Sequence, residues 1–270
     1  MSQSVSACGV VPSGPTCKER LTFGSLFAGI GGMDLGLDRA GMECRWQVEI
    51  DPYCTKVLER HWPHVKRYGD ITKIGGGELE PVDLVAGGFP CQDVSFAGTG
   101  AGLAGDRSGL WFEMLRIIRN IRPGYVLVEN VAALLVRGMG RVLADLASIG
   151  FDAEWDRLPA GHFGAPHERE RIFILAYPNE SNGAARMGNL KNWQRPIFAG
   201  RDIPRLPFWL QAADSFIGVD DGIPVGAYRH CGGGVGNSVA PPVAEWIGRR
   251  IIEDYELETS TPDTESVLIR

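Results

Sequence analysis

Short apolar runs alternate with amphipathic intervals from Leu21 to Tyr177, and that rhythm, more than any other feature, limits the folds open to this chain. Runs of four to eight residues bounded by turn formers read as strands, and the longer intervals with apolar residues three and four apart read as helices. Strands are predicted at Leu21–Phe27, Arg45–Ile50, Val82–Ala86, Tyr125–Glu129 and Ile172–Tyr177. Helices are predicted at Gly32–Ala40, Pro52–His61, Ser108–Ile121 and Arg141–Ile149, the third ended by Pro123-Gly124. A strand–helix alternation of this kind builds βαβ units, so the expected class is α/β, a mostly parallel Rossmann-like sheet with helices on both faces.

After Tyr177 the rhythm dissolves into Gly, Asn, Arg and Pro with isolated aromatics, over a stretch too long for an ordinary connection. It returns as a helix at Val243–Asp254 behind Pro241-Pro242. The expected organisation is therefore a leader at 1–18, a main domain of 19–177 and 236–255, a small inserted region at 178–235 and a polar tail at 256–270. No run approaches the ~18 consecutive apolar residues of a membrane span, and the first residues lack a secretory signal, so a cytoplasmic protein without membrane contact is expected. Cys8, Cys17, Cys44, Cys54, Cys91 and Cys231 form no Cys-x-x-Cys pair, which argues for reduced thiols and no metal site.

The net charge of −6 argues against a protein that coats nucleic acid indiscriminately. The distribution is uneven. Between Ser181 and Leu210 stand Arg186, Lys191, Arg195, Arg201 and Arg205 against the single acid Asp202, which suggests a localised surface facing phosphates.

The chemistry-bearing residues fall where the predicted strands end. Phe27-Ala28-Gly29-Ile30-Gly31-Gly32 follows the first strand and opens a helix, a place where glycines allow a tight turn and close approach of backbone to ligand. Its spacing departs from Gly-x-Gly-x-x-Gly, which favours a nucleoside without pyrophosphate over a dinucleotide. Glu49 and Asp51 follow the second strand, in position to bind ribose hydroxyls. The strand ending at Ala86 runs into Gly87-Gly88-Phe89-Pro90-Cys91-Gln92, which sets a thiol on a loop at the sheet edge. The strand from Tyr125 ends in Glu129-Asn130-Val131, an acid that is costly on an apolar strand unless paired or functional. Arg169-Glu170-Arg171 enters the last strand and offers cationic donors to the same edge.

The ordered series FAGIGG, GDIT at Gly69–Thr72, GGFPCQDVS, GDRSGLWFE at Gly105–Glu113, VLVENV, RERIF at Arg169–Phe173 and GNSVAPP at Gly236–Pro242 resembles the DNA (cytosine-5) methyltransferases. The resemblance covers about Leu21–Tyr177 and Gly236–Asp254. It implies an S-adenosylmethionine-dependent methyltransferase sheet, with 178–235 as a small target-recognition region. It further implies methyl transfer to C5 of a flipped cytosine in duplex DNA through a covalent bond from Cys91 to C6, with Glu129 at ring nitrogen N3. Arg169 and Arg171 would contact the base carbonyl or the phosphate.

For the cofactor the resemblance implies Phe27 and Ile50 at the adenine, Gly29, Gly31 and Gly32 in the loop, Glu49 at the ribose and Asp70 at the adenine amino group. Asn237, Ser238 and Val239 would line the methionine end. Ile50 stands where many relatives have an aromatic residue. His167 and Glu168 likewise replace glutamine and a basic residue. Gln92, Ser95 and Arg107, in and around a glycine-rich run that would close over the base, join Arg186, Lys191, Arg195, Arg201 and Arg205 as the expected DNA contacts. The partners so implied are double-stranded DNA and a cognate restriction endonuclease, with the enzyme itself a monomer.

Three other readings compete. RNA-directed enzymes of the same fold, which methylate a transfer RNA, usually carry Cys-Phe-Thr after the proline, whereas Cys91-Gln92-Asp93 favours DNA. A non-catalytic DNA-binding relative would be expected to lack Cys91 or Glu129. An NAD-dependent oxidoreductase is disfavoured by the glycine spacing.

Overall fold

The computed structural model describes residues 20–90, 109–165, 169–179, 197–198 and 238–260. Seven strands form one sheet in the order β3-β2-β1-β4-β5-β7-β6. They are β1 (Thr22–Leu26), β2 (Glu43–Val48), β3 (Lys66–Tyr68), β4 (Leu84–Gly87), β5 (Tyr125–Val131), β6 (Phe151–Pro159) and β7 (Glu170–Pro178). The helices are α1 (Gly32–Ala40), α2 (Pro52–His61), α3 (Gly109–Ile121), α4 (Leu134–Arg137), α5 (Met139–Ser148) and α6 (Pro241–Ser260).

The strands alternate between two cores, as the period of two requires. On one face Val85, Val126, Val128, Ile172 and Ile174 pack against Met114 and Ile118 of α3 and Val142 and Leu146 of α5. On the other, Leu84, Ala86, Tyr125, Leu127, Phe173 and Leu175 pack against Leu37 of α1 and Val243 and Ile247 of α6. Helices therefore cover both faces, as the near-continuous apolar runs of β4 and β5 predict. The α3 register matches its three-and-four spacing, with Trp111, Met114, Leu115, Ile117 and Ile118 inward. The helix stops where Arg122 takes a left-handed φ of 53° ahead of Pro123.

At the far end of the described residues α6 lies along α1. Gly248 faces Ala40 and Leu37, and a Cβ on Gly36 would collide with Pro241 and Ala244, so small residues set the close approach. The helix is longer than predicted and runs to Ser260, through the start of the expected tail. Among the described residues no helix is long and apolar enough to cross a membrane.

Two strands were not legible. β3 is three residues, Lys66-Arg67-Tyr68, with no apolar run, and β6 carries Asp152, Glu154 and Asp156 among its apolar residues. Both lie at sheet edges, where polar side chains are the rule because one side of the ladder is open. The sheet is mostly parallel, as expected, with one strand reversed. The pairs among β1 to β5 are all parallel, whereas β7 runs antiparallel to both β5 and β6.

Candidate active site

In an open α/β sheet ligands bind beyond the carboxyl ends of the strands, where the strand order reverses. Here the reversal falls between β1 and β4. A cavity of about 740 Å³ opens at that point, of the size that takes a small-molecule ligand.

The loop after β1 forms one wall. Phe27, Gly29 and Gly31 have left-handed φ values of 55°, 56° and 85°, which fold the loop tightly onto the start of α1. The loop is tied to the next strand. Ala28 N–H donates to Val48 O at 3.1 Å, and Gly29 N–H donates to Glu49 Oε2 at 2.6 Å. Glu49 Oε1 accepts from Asp51 N–H at 2.8 Å, so one carboxylate joins the glycine loop to the entry of α2. Asp51 caps α2 through Tyr53 and Cys54, and the backbone N–H of Cys54, first among those donors, holds its carboxyl below the usual range.

Asp70 caps the short 3-10 turn at Ile71–Lys73. Its Oδ1 accepts from Thr72 Oγ1 at 2.7 Å and Thr72 N at 3.0 Å, and the hydroxyl contact above all keeps its pKa low. Arg116 of α3 fastens this turn from behind, donating to Ile74 O and Ile71 O at 2.9 and 3.0 Å. From the far end of the chain Ser238 and Val239 reach the same cavity, seated where Gly32 has no side chain to exclude them.

The other wall belongs to β4 and β5. Glu129 is buried, 7% exposed, at the end of β5, and Gly88 leaves it room: a Cβ there would stand 2.5 Å from Oε2. Arg171 Nε lies 3.0 Å from Glu129 Oε1. Burial pushes the Glu129 carboxyl up to about 7 despite the opposing pull of Arg171 and Arg169. Arg169 is itself held below its ordinary value, first by burial and then by Arg171.

The expected residues thus meet. Phe27, Gly29, Gly32, Glu49, Ile50, Asp70, Glu129, Arg171, Ser238 and Val239 all line this one cavity, and so does Pro90, the residue before Cys91. Gly31 caps α1 behind the wall, its Cα facing Trp62 and Leu58. Cys91, Gln92, Ser95, Arg107, Asn237 and the basic residues Arg186, Lys191, Arg195, Arg201 and Arg205 lie outside the described residues, as do His167 and Glu168.

Sequence reasoning passed over the residues that hold the Pro90 turn. Asn130 Nδ2 donates to Phe89 O at 3.1 Å, and the Phe89 ring packs on Trp111 with centroids 5.2 Å apart. Trp111 is fixed in turn by Asp145, which accepts from its Nε1 at 2.9 Å. Asn130 and Trp111 stand in the VLVENV and GDRSGLWFE motifs and Phe89 in GGFPCQDVS, whereas Asp145 lies in none of the motifs.

A family model for C-5 cytosine-specific DNA methylases matches residues 21–202. The Type II methyltransferase M.DsaV of Dactylococcopsis salina is 35% identical over 169 residues, 61% of this chain and 48% of that protein. M.HhaI of Haemophilus parahaemolyticus is 32% identical over 180 residues, 65% of this chain and 53% of that protein. The chain spans about half the length of these curated relatives. The crystal structure of the S. pombe Dnmt2 methyltransferase shares the fold, with a TM-score of 0.51 at 20% identity over 68% of this chain and 62% of that one. With the family model matched from β1 through β7, the chain belongs to the C-5 cytosine-specific DNA methylases.

Proposed function

We propose that this chain transfers a methyl group from S-adenosylmethionine to C5 of a cytosine flipped out of double-stranded DNA, with Cys91 as nucleophile. The observation that carries the reading is the state of Glu129: a buried carboxyl with a pKa near 7, beside Arg171, in the cavity that Pro90 also lines. An acid so tuned keeps a proton available at neutral pH and can donate it to ring nitrogen N3. Thiolate attack by Cys91 at C6 then leaves no anion on the ring, because its electron density is taken up at N3 and C5. C5, made nucleophilic, takes the methyl group, and the electron pair of the bond that breaks stays with the sulfur of the bound cofactor. Loss of the C5 proton, departure of Cys91 as the thiolate and return of the N3 proton to Glu129 restore the neutral aromatic ring and the acid.

The opposite wall fits the cofactor, which supplies an electrophilic methyl group on a sulfonium when bound. Both oxygens of Glu49 already receive a backbone N–H and keep lone pairs for ribose hydroxyls. Phe27 and the 70% exposed side chain of Ile50 offer apolar surface to an adenine, and Asp70 an acceptor for its amino group. Asn237, Ser238 and Val239 complete the reading at the methionine end, beside Gly29, Gly31 and Gly32. Arg169 and Arg171 polarise the base from the side of Glu129. Gln92, Ser95, Arg107 and the basic residues of 178–235 bind DNA, and a restriction endonuclease of the same specificity is the partner expected for a Type II enzyme.

Tritiated-methyl transfer to duplex DNA, followed by bisulfite sequencing of the product, tests this directly. Label confined to 5-methylcytosine in one short sequence is the expected result. Absence of label, or label on adenine or on transfer RNA alone, would overturn it.

A further inference from the structure

Beneath the glycine loop lies a polar cluster to which methyl transfer assigns no task. Asp34, in the first turn of α1, and Gln47 of β2 are fully buried, and Ser25 of β1 is nearly so. Ser25 Oγ donates to Asp34 Oδ2 at 3.0 Å, and Gln47 Nε2 donates to Oδ1 at 2.9 Å. Cys44 Sγ, at 4.0 Å from Oδ1, is a third and weaker donor, and all three are neutral. Among the described residues no cation acts on Asp34, although burial pushes its carboxyl only to about 6 and it is ionised at neutral pH. A buried carboxylate without a positive partner is expensive, and proteins keep one where a ligand or side chain supplies the missing charge.

The cluster also has acceptors to spare. Gln47 Oε1 is buried and, among the described residues, accepts no hydrogen bond. Ser25, its proton committed to Asp34, can only accept from any group in front of it. Of Asp34, Gln47 and Ser25 only Ser25 lines the cavity, with Met33 beside it, so the Ser25 hydroxyl oxygen is the cluster's route to a ligand, with the other two behind it. That is the complement of a cationic hydrogen-bond donor or of a sulfonium.

We propose that Asp34, acting through the Ser25 hydroxyl, is the counter-charge for the cationic methionine end of the cofactor. It is a positioning residue: it touches Ser25, and Ser25 faces the ligand. The inference rests on the cofactor reading given above. The cation is the ammonium or the sulfonium, and three nucleosides separate them. S-adenosylmethionine carries both charges, S-adenosylhomocysteine the ammonium alone, and 5′-deoxy-5′-methylthioadenosine neither.

Calorimetric titration of the full chain and of Asp34→Asn with each nucleoside is the test. Loss of a charge-assisted contact should weaken S-adenosylmethionine roughly tenfold or more while methylthioadenosine binds as before. Equal weakening of S-adenosylhomocysteine assigns the ammonium as partner, and its sparing assigns the sulfonium. Ser25→Ala removes the hydroxyl and its bond to Asp34 but keeps the Asp34 side chain, and it should give the same selective loss, which guards against a folding defect in Asp34→Asn. Weakening of all three nucleosides alike, or of none, overturns the proposal. A wild-type chain that binds none of them overturns the cofactor reading instead.

Discussion

Arg171 Nε stands 3.0 Å from Glu129 Oε1 because β7 runs against β5. In that register Val131 lies opposite Arg171 and Glu129 opposite Phe173, so the arginine and the acid are diagonal neighbours on one face. Arg171 is near the start of its strand and Glu129 near the end of its own. A parallel β7 would have set them at opposite edges of the sheet. The reversal of one strand therefore brings a cation to an edge that βαβ repetition alone would furnish only with strand ends.

The pair has a consequence for stability. Glu129 titrates near its ordinary 4.5 in the unfolded chain and near 7 in the folded one, chiefly because it is buried. Between those values the native state holds more protons, so the contribution of Glu129 is fully present below about pH 4.5 and is lost as pH rises through about 7. Glu129→Gln lacks this dependence. Chemical denaturation of both proteins across that range should show the stability of the wild type, relative to the variant, falling as pH rises. A difference independent of pH would contradict a burial-dominated carboxyl.

Gly88→Ala is predicted to damage turnover without damaging cofactor binding. The added Cβ would lie 2.5 Å from Glu129 Oε2, and the carboxyl must swing away from the position it shares with Arg171. A misplacement of about 1 Å can cost roughly 100-fold in rate. Single-turnover methylation should slow by about that factor, while titration with S-adenosylmethionine should match the wild type. Unchanged rates would show that this glycine is not what gives Glu129 its place.

Asn130→Ala removes the side-chain bond that holds the Phe89 carbonyl one residue before Pro90. A buried acceptor left unsatisfied costs about 1–3 kcal/mol. Thermal unfolding should register that loss. The Pro90 turn should also loosen, lowering the turnover rate more than it raises the Michaelis constant for the cofactor. Equal change in both would place the defect in the whole fold rather than in the turn.

What could be read from the sequence follows from how local each signal is. The glycine loop, the acid ending β5 and the proline before Cys91 each sit at a strand terminus that a short window reveals, and Phe27, Glu49 and Glu129 all reach the same cavity. The antiparallel direction of β7 could not be read that way, because strand direction depends on a partner across the sheet. The polar edge strands β3 and β6 carry no apolar run to find. The bond from Asn130 to Phe89 spans 41 residues of sequence, and that from Arg116 to Ile71 spans 45, so neither leaves a trace in local spacing. Gly88 looked like one glycine among many until Glu129 came to lie against it.

Covalent trapping tests the proposed chemistry most directly. Duplex DNA carrying 5-fluorocytosine at the methylated position should form a complex that survives a denaturing gel when S-adenosylmethionine is present. Fluorine at C5 cannot leave as a proton does, so the bond from Cys91 to C6 cannot be released. Cys91→Ser should form no such complex while still binding S-adenosylmethionine. A wild-type chain that methylates ordinary cytosine yet leaves no trapped species, or a Cys91→Ser variant that is trapped as well as the wild type, would contradict Cys91 as the nucleophile.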